Sequence, residues 1–354
     1  SLAISSATAT MAASVPNVPM QKSLGKGEGA LNIVVWAGYA ENGSTDKAVD
    51  WVNPFTKATG CKVNAKTAGT SDEMVSLMKS GGYDGVSASG DASLRLIYGG
   101  QVAPVNTSLV SNYKDISPFL KNQKWNSVNG TMYGIPHGWG ANVLAYNSAK
   151  VKKPTSWSVV FDPKSQYAGK ITAYDSPIYI ADAAMYLMST NPGLGIKNPY
   201  SLDQKQLDAA TALLKGQKKN VGEYWSDYTK SVQSFESGNT LLGSSWQVIA
   251  NIINGDKKVK VDSVVPKEGA TGWSDTWMIS AKAKHPNCMY QWMNWIASPK
   301  VNAQVAEWFG EAPSNQLACA QTADKTFCDT YHAKDSAYAA KIWYWTTPTA
   351  DCLD

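Results

Sequence analysis

The chain has 354 residues, 44% of them apolar and 17% charged, with a formal net charge of +4. That much apolar material excludes a disordered chain and suits about two domains. No apolar run reaches the roughly 18 residues of a membrane-crossing helix, and no basic cluster is longer than Lys257-Lys258-x-Lys260, so no membrane span and no nucleic-acid partner are expected.

In chain order, residues 1–30 carry small residues, Pro, Gly and Lys without periodicity and read as a mobile leader or linker. The first fourteen look like the end of a signal region or a post-anchor linker, which fits an exported protein. Leu31–Trp36 is a short apolar run with β-branched residues, a buried strand. A helix is expected over 46–59, ended by Gly60, then an alternating strand over 61–67 and a helix over 71–79 stopped by Gly81-Gly82. A strand over 83–88 leads to a helix over 91–98, with Asp91 or Ser93 placed to cap it. This alternation makes βαβ units with a parallel sheet, and ligands bind such sheets beyond the carboxyl ends of their strands, here at 36–39 and 89–91.

The Gly-rich stretch 133–142 leads into a strand over 143–146. A strand at 171–175, helices over 180–189 and 207–216, and a strand over 240–245 ending at Trp246 make a second α/β unit. Residues 261–265 form a strand leading into 266–275, and helices follow over 288–296 and 300–308. Trp292, Trp295 and Trp308 recur at helical spacing and read as core.

Four of the five cysteines lie in the last 70 residues, and none sits in a zinc-like spacing. Cys319 and Cys328 read as a small disulfide loop, and Cys288 with Cys352 as a second bridge that leaves Cys61 unpaired; the alternative is buried free thiols. Disulfides imply export. Aromatic usage is skewed, with 14 Trp and 17 Tyr against 6 Phe, toward rings with a polar handle and a cation-attracting face. Arg95 is the only arginine among 32 basic residues, so an arginine fork for an anion has one candidate. No nucleophile elbow, Walker loop, H-E-x-x-H or C-x-x-C occurs, and the three histidines are scattered, so no catalytic residue, metal or cofactor is expected.

The segments 35–39 (VWAGY), 55–60 (FTKATG), 83–89 (YDGVSAS), 133–140 (YGIPHGWG), Trp246, 266–275 (PKEGATGWSD) and 310–315 (GEAPSN) stand in the order seen in polyamine-type binding proteins. Over about residues 30–348 the chain resembles the periplasmic spermidine/putrescine-binding family of ABC importers. Residues 67–74 (TAGTSDEM) and the Cys-rich C-terminus look closer to the branch that includes γ-aminobutyrate binders.

The resemblance implies a type II periplasmic-binding-protein fold of two α/β lobes joined by a hinge. Lobe 1 comprises 31–137 and 275–320, and lobe 2 comprises 138–274 and 321–354. It implies a periplasmic or extracellular monomer, free or tethered at its N-terminus, that captures a small amine, a polyamine or a γ-aminobutyrate-like zwitterion. It further implies delivery of that amine to the membrane permease of an ABC importer. Position by position, it puts Trp36 and Tyr39 in an aromatic wall and makes Ser89 a polar contact. Trp246 and Trp273 sandwich the aliphatic chain, and Asp275 receives an ammonium group. Asp175 matches an acid for a terminal amine, although the carboxylate expected three residues on is replaced by Ile178. Asp91 and Glu311 stand where the family places Tyr.

These residue types suit the chemistry. Indole faces bury methylenes and attract an ammonium by about 0.5–2 kcal/mol each. A carboxylate adds charge-assisted hydrogen bonds of about 1.5–3 kcal/mol. Two other readings compete. An enzyme on the same fold would need a pair such as Asp175 with His137, which otherwise reads as a hinge residue. An interaction module would expose Trp patches.

Overall fold

The computed structural model describes residues 14–347. Two mixed sheets organise them. The first is ordered β13-β6-β12-β3-β1-β2, from Ala312–Pro313, Ile135–Ala141, Ala270–Ile279, Gly85–Ala88, Ala30–Trp36 and Lys62–Ala68, with β14 (Ile342–Tyr344) also on β12. The second is ordered β11-β7-β10-β8-β9, from Val261–Val264, Val143–Asn147, Leu242–Ser245, Ile171–Tyr174 and Val221–Trp225. A two-stranded hairpin, β4 and β5, spans 127–132.

In the first sheet β1 pairs in parallel with β2 and β3, as the alternating pattern of strands and helices requires. Helices α1 (Val52–Thr59), α2 (Ser71–Ser80) and α3 (Gly90–Tyr98) connect these strands. The second sheet carries α4 (Ser158–Phe161), α5 (Ile180–Thr190), α6 (Gln204–Lys218), α7 (Tyr228–Ser237) and α8 (Gln247–Asp256). Then α9 (Pro286–Ile296) and α10 (Pro299–Phe309) return to the first sheet. The chain passes between the sheets at Asn142 and again between Val264 and Ala270. The bounds 137/138 and 274/275 drawn from the sequence therefore fall inside β6 and β12, two strands of the first sheet, and β14 from the C-terminal segment joins that sheet too.

Several local expectations are corrected. The helix drawn over 46–59 begins only at Val52. Asp46 and Asp50 accept the backbone N–H groups of Ala48 and Asn53, so the chain turns before it coils. The Gly-rich stretch 133–142 is strand β6 over most of its length. Its glycines serve close approach: a Cβ on Gly140 would meet the Trp273 ring at 2.5 Å and one on Gly138 the Ala312 carbonyl at 2.8 Å. Strand β9 and helix α7, absent from the sequence reading, complete the second sheet and flank it. Neither Asp91 nor Ser93 caps α3, whose N-cap is Ser89.

The cysteine pairing is half corrected. Cys319–Cys328 is bridged as expected, but Cys288 pairs with Cys61, fastening the start of β2 to α9. Cys352 lies outside the described residues. Residues 14–29 have no helix or strand, but they contact α9. Glu28 accepts from the backbone N–H groups of Asn287 and Cys288, and the Gln21 side chain donates to Asn287.

Candidate functional site

The site lies between the two sheets, at the carboxyl ends of β1, β3, β8 and β10. Alternation along β12 sends Trp273 and Asp275 to one side of the strand, and the contacts agree, since both reach the Tyr39–Glu311 cluster. Asp275 is 2% exposed. Its Oδ2 accepts from the Tyr39 hydroxyl at 2.6 Å and its Oδ1 from the Ser89 hydroxyl at 2.6 Å. Glu311, 1% exposed, accepts from Tyr39 at 3.0 Å and from the Trp273 indole at 2.8 Å. Its other oxygen lies 2.9 Å from His137 Nε2, and His137 Nδ1 accepts from the Trp277 indole at 2.9 Å. The Tyr39 ring packs on His137 at 4.2 Å between centroids.

Two buried carboxyl groups thus share one tyrosine hydroxyl. Among the described residues no lysine or arginine pairs with either; Arg95 pairs with Asp72 and Lys258 with Glu236. Burial first, and the Glu311 charge second, hold the Asp275 carboxyl well above the ordinary carboxylate range. Burial and the same two acids push the Tyr39 hydroxyl up as well.

Beside this acid cluster is a set of packed rings. Trp36 meets Trp246 edge-on at 5.6 Å, and Trp246 contacts Tyr174 at 5.4 Å and Trp225 at 4.8 Å. Trp246 is oriented by its indole N–H, which donates to Asn142 at the crossing between sheets. Asn142 in turn donates to Thr271, and Thr271 to Asp182, joining both lobes at the crossing. Phe309 packs on Tyr39 and Trp273.

Of the residues singled out from sequence, Tyr39, Ser89, Trp273, Asp275 and Glu311 come together in one hydrogen-bonded network, with Trp36 and Trp246 in the adjoining ring cluster. Asp91 and Asp175 do not join the network. Asp91 accepts from Ser71 at 2.7 Å and, with Asp72 and Arg95, lines a separate cavity of about 500 Å³. Burial raises its pKa to about 6. Asp175 is exposed, and its backbone N–H is bonded to Trp225. His137 is a buried member of the acid network with no contact to Asp175, so the pair an enzyme would need is not assembled. Trp292 is core, packed on Phe55 and Trp277, as its helical spacing implies.

Tyr174, Trp225, Trp345 and Phe309 escaped sequence reasoning. Tyr174 ends β8 as Trp36 ends β1, so its place at a strand's carboxyl end was an available signal. Trp345 carried none. A groove of about 840 Å³ runs outward from the ring cluster, lined by Trp246, Trp308 and the acids Glu41, Asp46, Glu236, Asp256 and Glu307.

Two α/β units with a buried aromatic and acidic cluster between them make a two-lobed architecture. The comparisons with known proteins agree. The chain belongs to the bacterial extracellular solute-binding protein family, whose model matches residues 50–329. It is 27% identical over 303 residues to the spermidine/putrescine-binding periplasmic protein of Escherichia coli K12, covering 82% of this chain and 83% of that protein. A putative spermidine/putrescine ABC transporter structure from Listeria monocytogenes superposes with a TM-score of 0.77 at 20% identity, covering 92% of this chain and 96% of that one. The structure of a GABA receptor superposes with a TM-score of 0.62 at 20% identity, over 88% of this chain and 97% of that one. The resemblance read from the ordered motifs, and the two-lobed fold it implied, are borne out. Among the described residues no helix is long and apolar enough to cross a membrane.

Proposed function

We propose that this protein is the solute-binding component of an ABC importer that captures a small amine between its lobes and delivers it to the membrane permease. One observation carries the reading: Asp275 and Glu311 are buried at one tyrosine hydroxyl, and among the described residues no lysine or arginine pairs with either. A buried carboxylate is costly without a cationic partner. An alkylammonium supplies that charge, and its methylenes suit the indoles of Trp36, Trp246 and Trp273. Hydrogen bonds of about 1.5–3 kcal/mol and ring contacts of about 0.5–2 kcal/mol each lead to roughly micromolar affinity after association costs.

The names of the relatives support the amine class, both the polyamine binders and the GABA receptor. Trp36, Tyr39, Ser89, Trp246, Trp273, Asp275 and Glu311 are the contact residues we assign, with Asp91 and Asp175 at the margin. The protein works as a monomer outside the cytoplasmic membrane. Its lobes close on the ligand by bending at Asn142 and at residues 265–269, with bound ligand favouring the closed state.

Titration calorimetry with putrescine, spermidine, γ-aminobutyrate and choline tests this. Micromolar binding of one or more, lost in Asp275→Asn, is the expected result. Absence of binding by all four overturns the amine reading.

A further inference from the structure

We propose that Trp345, carried into the cleft by the C-terminal strand β14, is a wall of the amine site, and that the segment 342–347 is a strap completing that site from both lobes. This rests on the amine-binding reading above.

The route of the strap follows from the sheet. One side of β12 is paired with β3 over Thr276–Ile279, but β3 ends at Ala88 and the chain turns away at Ser89 and Gly90 into α3. That leaves the same side of β12 free at its beginning, and β14 fills it in parallel, with Ala270, Thr271 and Gly272 opposite Ile342, Trp343 and Tyr344. The Trp345 backbone N–H then donates to the Gly272 carbonyl at 2.8 Å. The strap is also fitted to α3. A Cβ on Gly90 would collide with the Trp345 carbonyl oxygen, so only glycine lets the strap cross there. From the second lobe the Tyr200 hydroxyl donates to the Trp343 carbonyl.

The ring delivered this way closes a circuit. Trp36 contacts Trp246 at 5.6 Å, Trp246 contacts Tyr174 at 5.4 Å, Tyr174 stacks on Trp345 at 5.9 Å and 8°, and Trp345 meets Trp36 at 6.5 Å. Trp36 belongs to the first lobe, Trp246 and Tyr174 to the second, and Trp345 to the strap. Neighbouring rings of the circuit are thus 5.4–6.5 Å apart, the scale of the roughly 6 Å range of cation–π attraction. Burial first, and then the charges of Asp91, Asp275, Asp175 and Asp72, push the Tyr174 hydroxyl well above its ordinary range. The indole N–H groups of Trp36 and Trp345 are buried without a protein partner, as are those of Trp125, Trp139 and the core residue Trp292, so the ring circuit and the route of the strap carry the assignment.

The test is calorimetric titration of the full chain with putrescine, for wild type, Trp345→Ala, Trp345→Leu and Trp345→Phe. Leucine keeps apolar burial but has no π face, so a merely structural role would tolerate it, and it serves if the alanine variant fails to fold. Expected is at least a tenfold rise in Kd for the alanine and leucine variants, with the phenylalanine variant within about threefold of wild type. Unchanged affinity in the leucine variant overturns the proposal and leaves the amine reading standing. Tighter binding also overturns it and makes the strap an obstruction to the ligand. Failure of wild type to bind putrescine, spermidine, γ-aminobutyrate or choline overturns the amine reading and this wall with it.

Discussion

Tyr39 donates its single hydroxyl proton toward two carboxyl groups, Asp275 at 2.6 Å and Glu311 at 3.0 Å. One proton cannot satisfy both acids; the Ser89 hydroxyl donates to Asp275 and the Trp273 indole to Glu311, while Glu311 Oε1 lies 2.9 Å from His137 Nε2 out of hydrogen-bonding geometry. The acid pair is therefore held by hydroxyl and indole donors, and no lysine or arginine among the described residues pairs with it.

Asp275→Asn keeps the shape and the Ser89 contact but removes the charge. Its Kd for putrescine should rise at least tenfold by calorimetry while the far-ultraviolet circular dichroism stays unchanged. Equal affinity in the variant would remove Asp275 as the ammonium acceptor.

Binding should itself depend on pH. The Asp275 carboxyl titrates well above the ordinary range because of burial and the Glu311 charge, whereas an ammonium requires the ionised form. Amine affinity should increase as pH rises from 5 to 8. Titrations in buffers of different ionisation enthalpy should show a proton released on binding, and a pH-independent Kd would contradict this.

Stability without ligand should move the opposite way. Burial raises the Asp182 carboxyl from 3.8 to about 7 and Asp91 from 3.8 to about 6. The folded state then holds protons the unfolded chain releases, so this contribution is complete below about pH 4 and is lost as pH rises toward 7. The Tm should fall by a few degrees over that window, and Asp182→Asn should flatten the decline when melts are compared at each pH.

Gly140→Ala places a methyl group 2.5 Å from the Trp273 ring. The ring must shift, which breaks its 2.8 Å hydrogen bond to Glu311. We expect about 1–3 kcal/mol of destabilisation from overpacking, measured by urea unfolding, together with weakened amine binding.

The Cys61–Cys288 bridge joins residues 227 apart in sequence. Replacing both with alanine should cost about 2–5 kcal/mol. Non-reducing peptide mapping should recover Cys61 with Cys288 and Cys319 with Cys328; a Cys288–Cys352 peptide would contradict this pairing.

The parts of the fold legible in sequence were those with local causes. The apolar run 31–36, the Gly stops after 59 and 80, and the alternation of strands with helices are short-range patterns, and β1 to α3 followed them apart from the late start of α1. Strand β6 was not legible because Gly and Pro ordinarily punctuate strands, and only the approach of Trp273 and Ala312 explains glycines there. The partner of Cys288 was likewise hidden: a small cysteine loop at 319–328 is a local feature, but the 61–288 pairing depends on how β2 meets α9.

The same division holds for the site. Strand ends and the ordered motifs, read through the family resemblance, offered its candidate materials, Tyr39, Ser89, Trp246, Trp273 and Asp275 among them. Tertiary structure alone decided which of them meet. It brought Glu311 to Tyr39, left Asp175 at the surface, turned His137 from a hinge candidate into a buried partner of Glu311, and laid Trp345 beside Tyr174. Those contacts join segments far apart in the chain, and no spacing rule of a helix or strand reaches that distance.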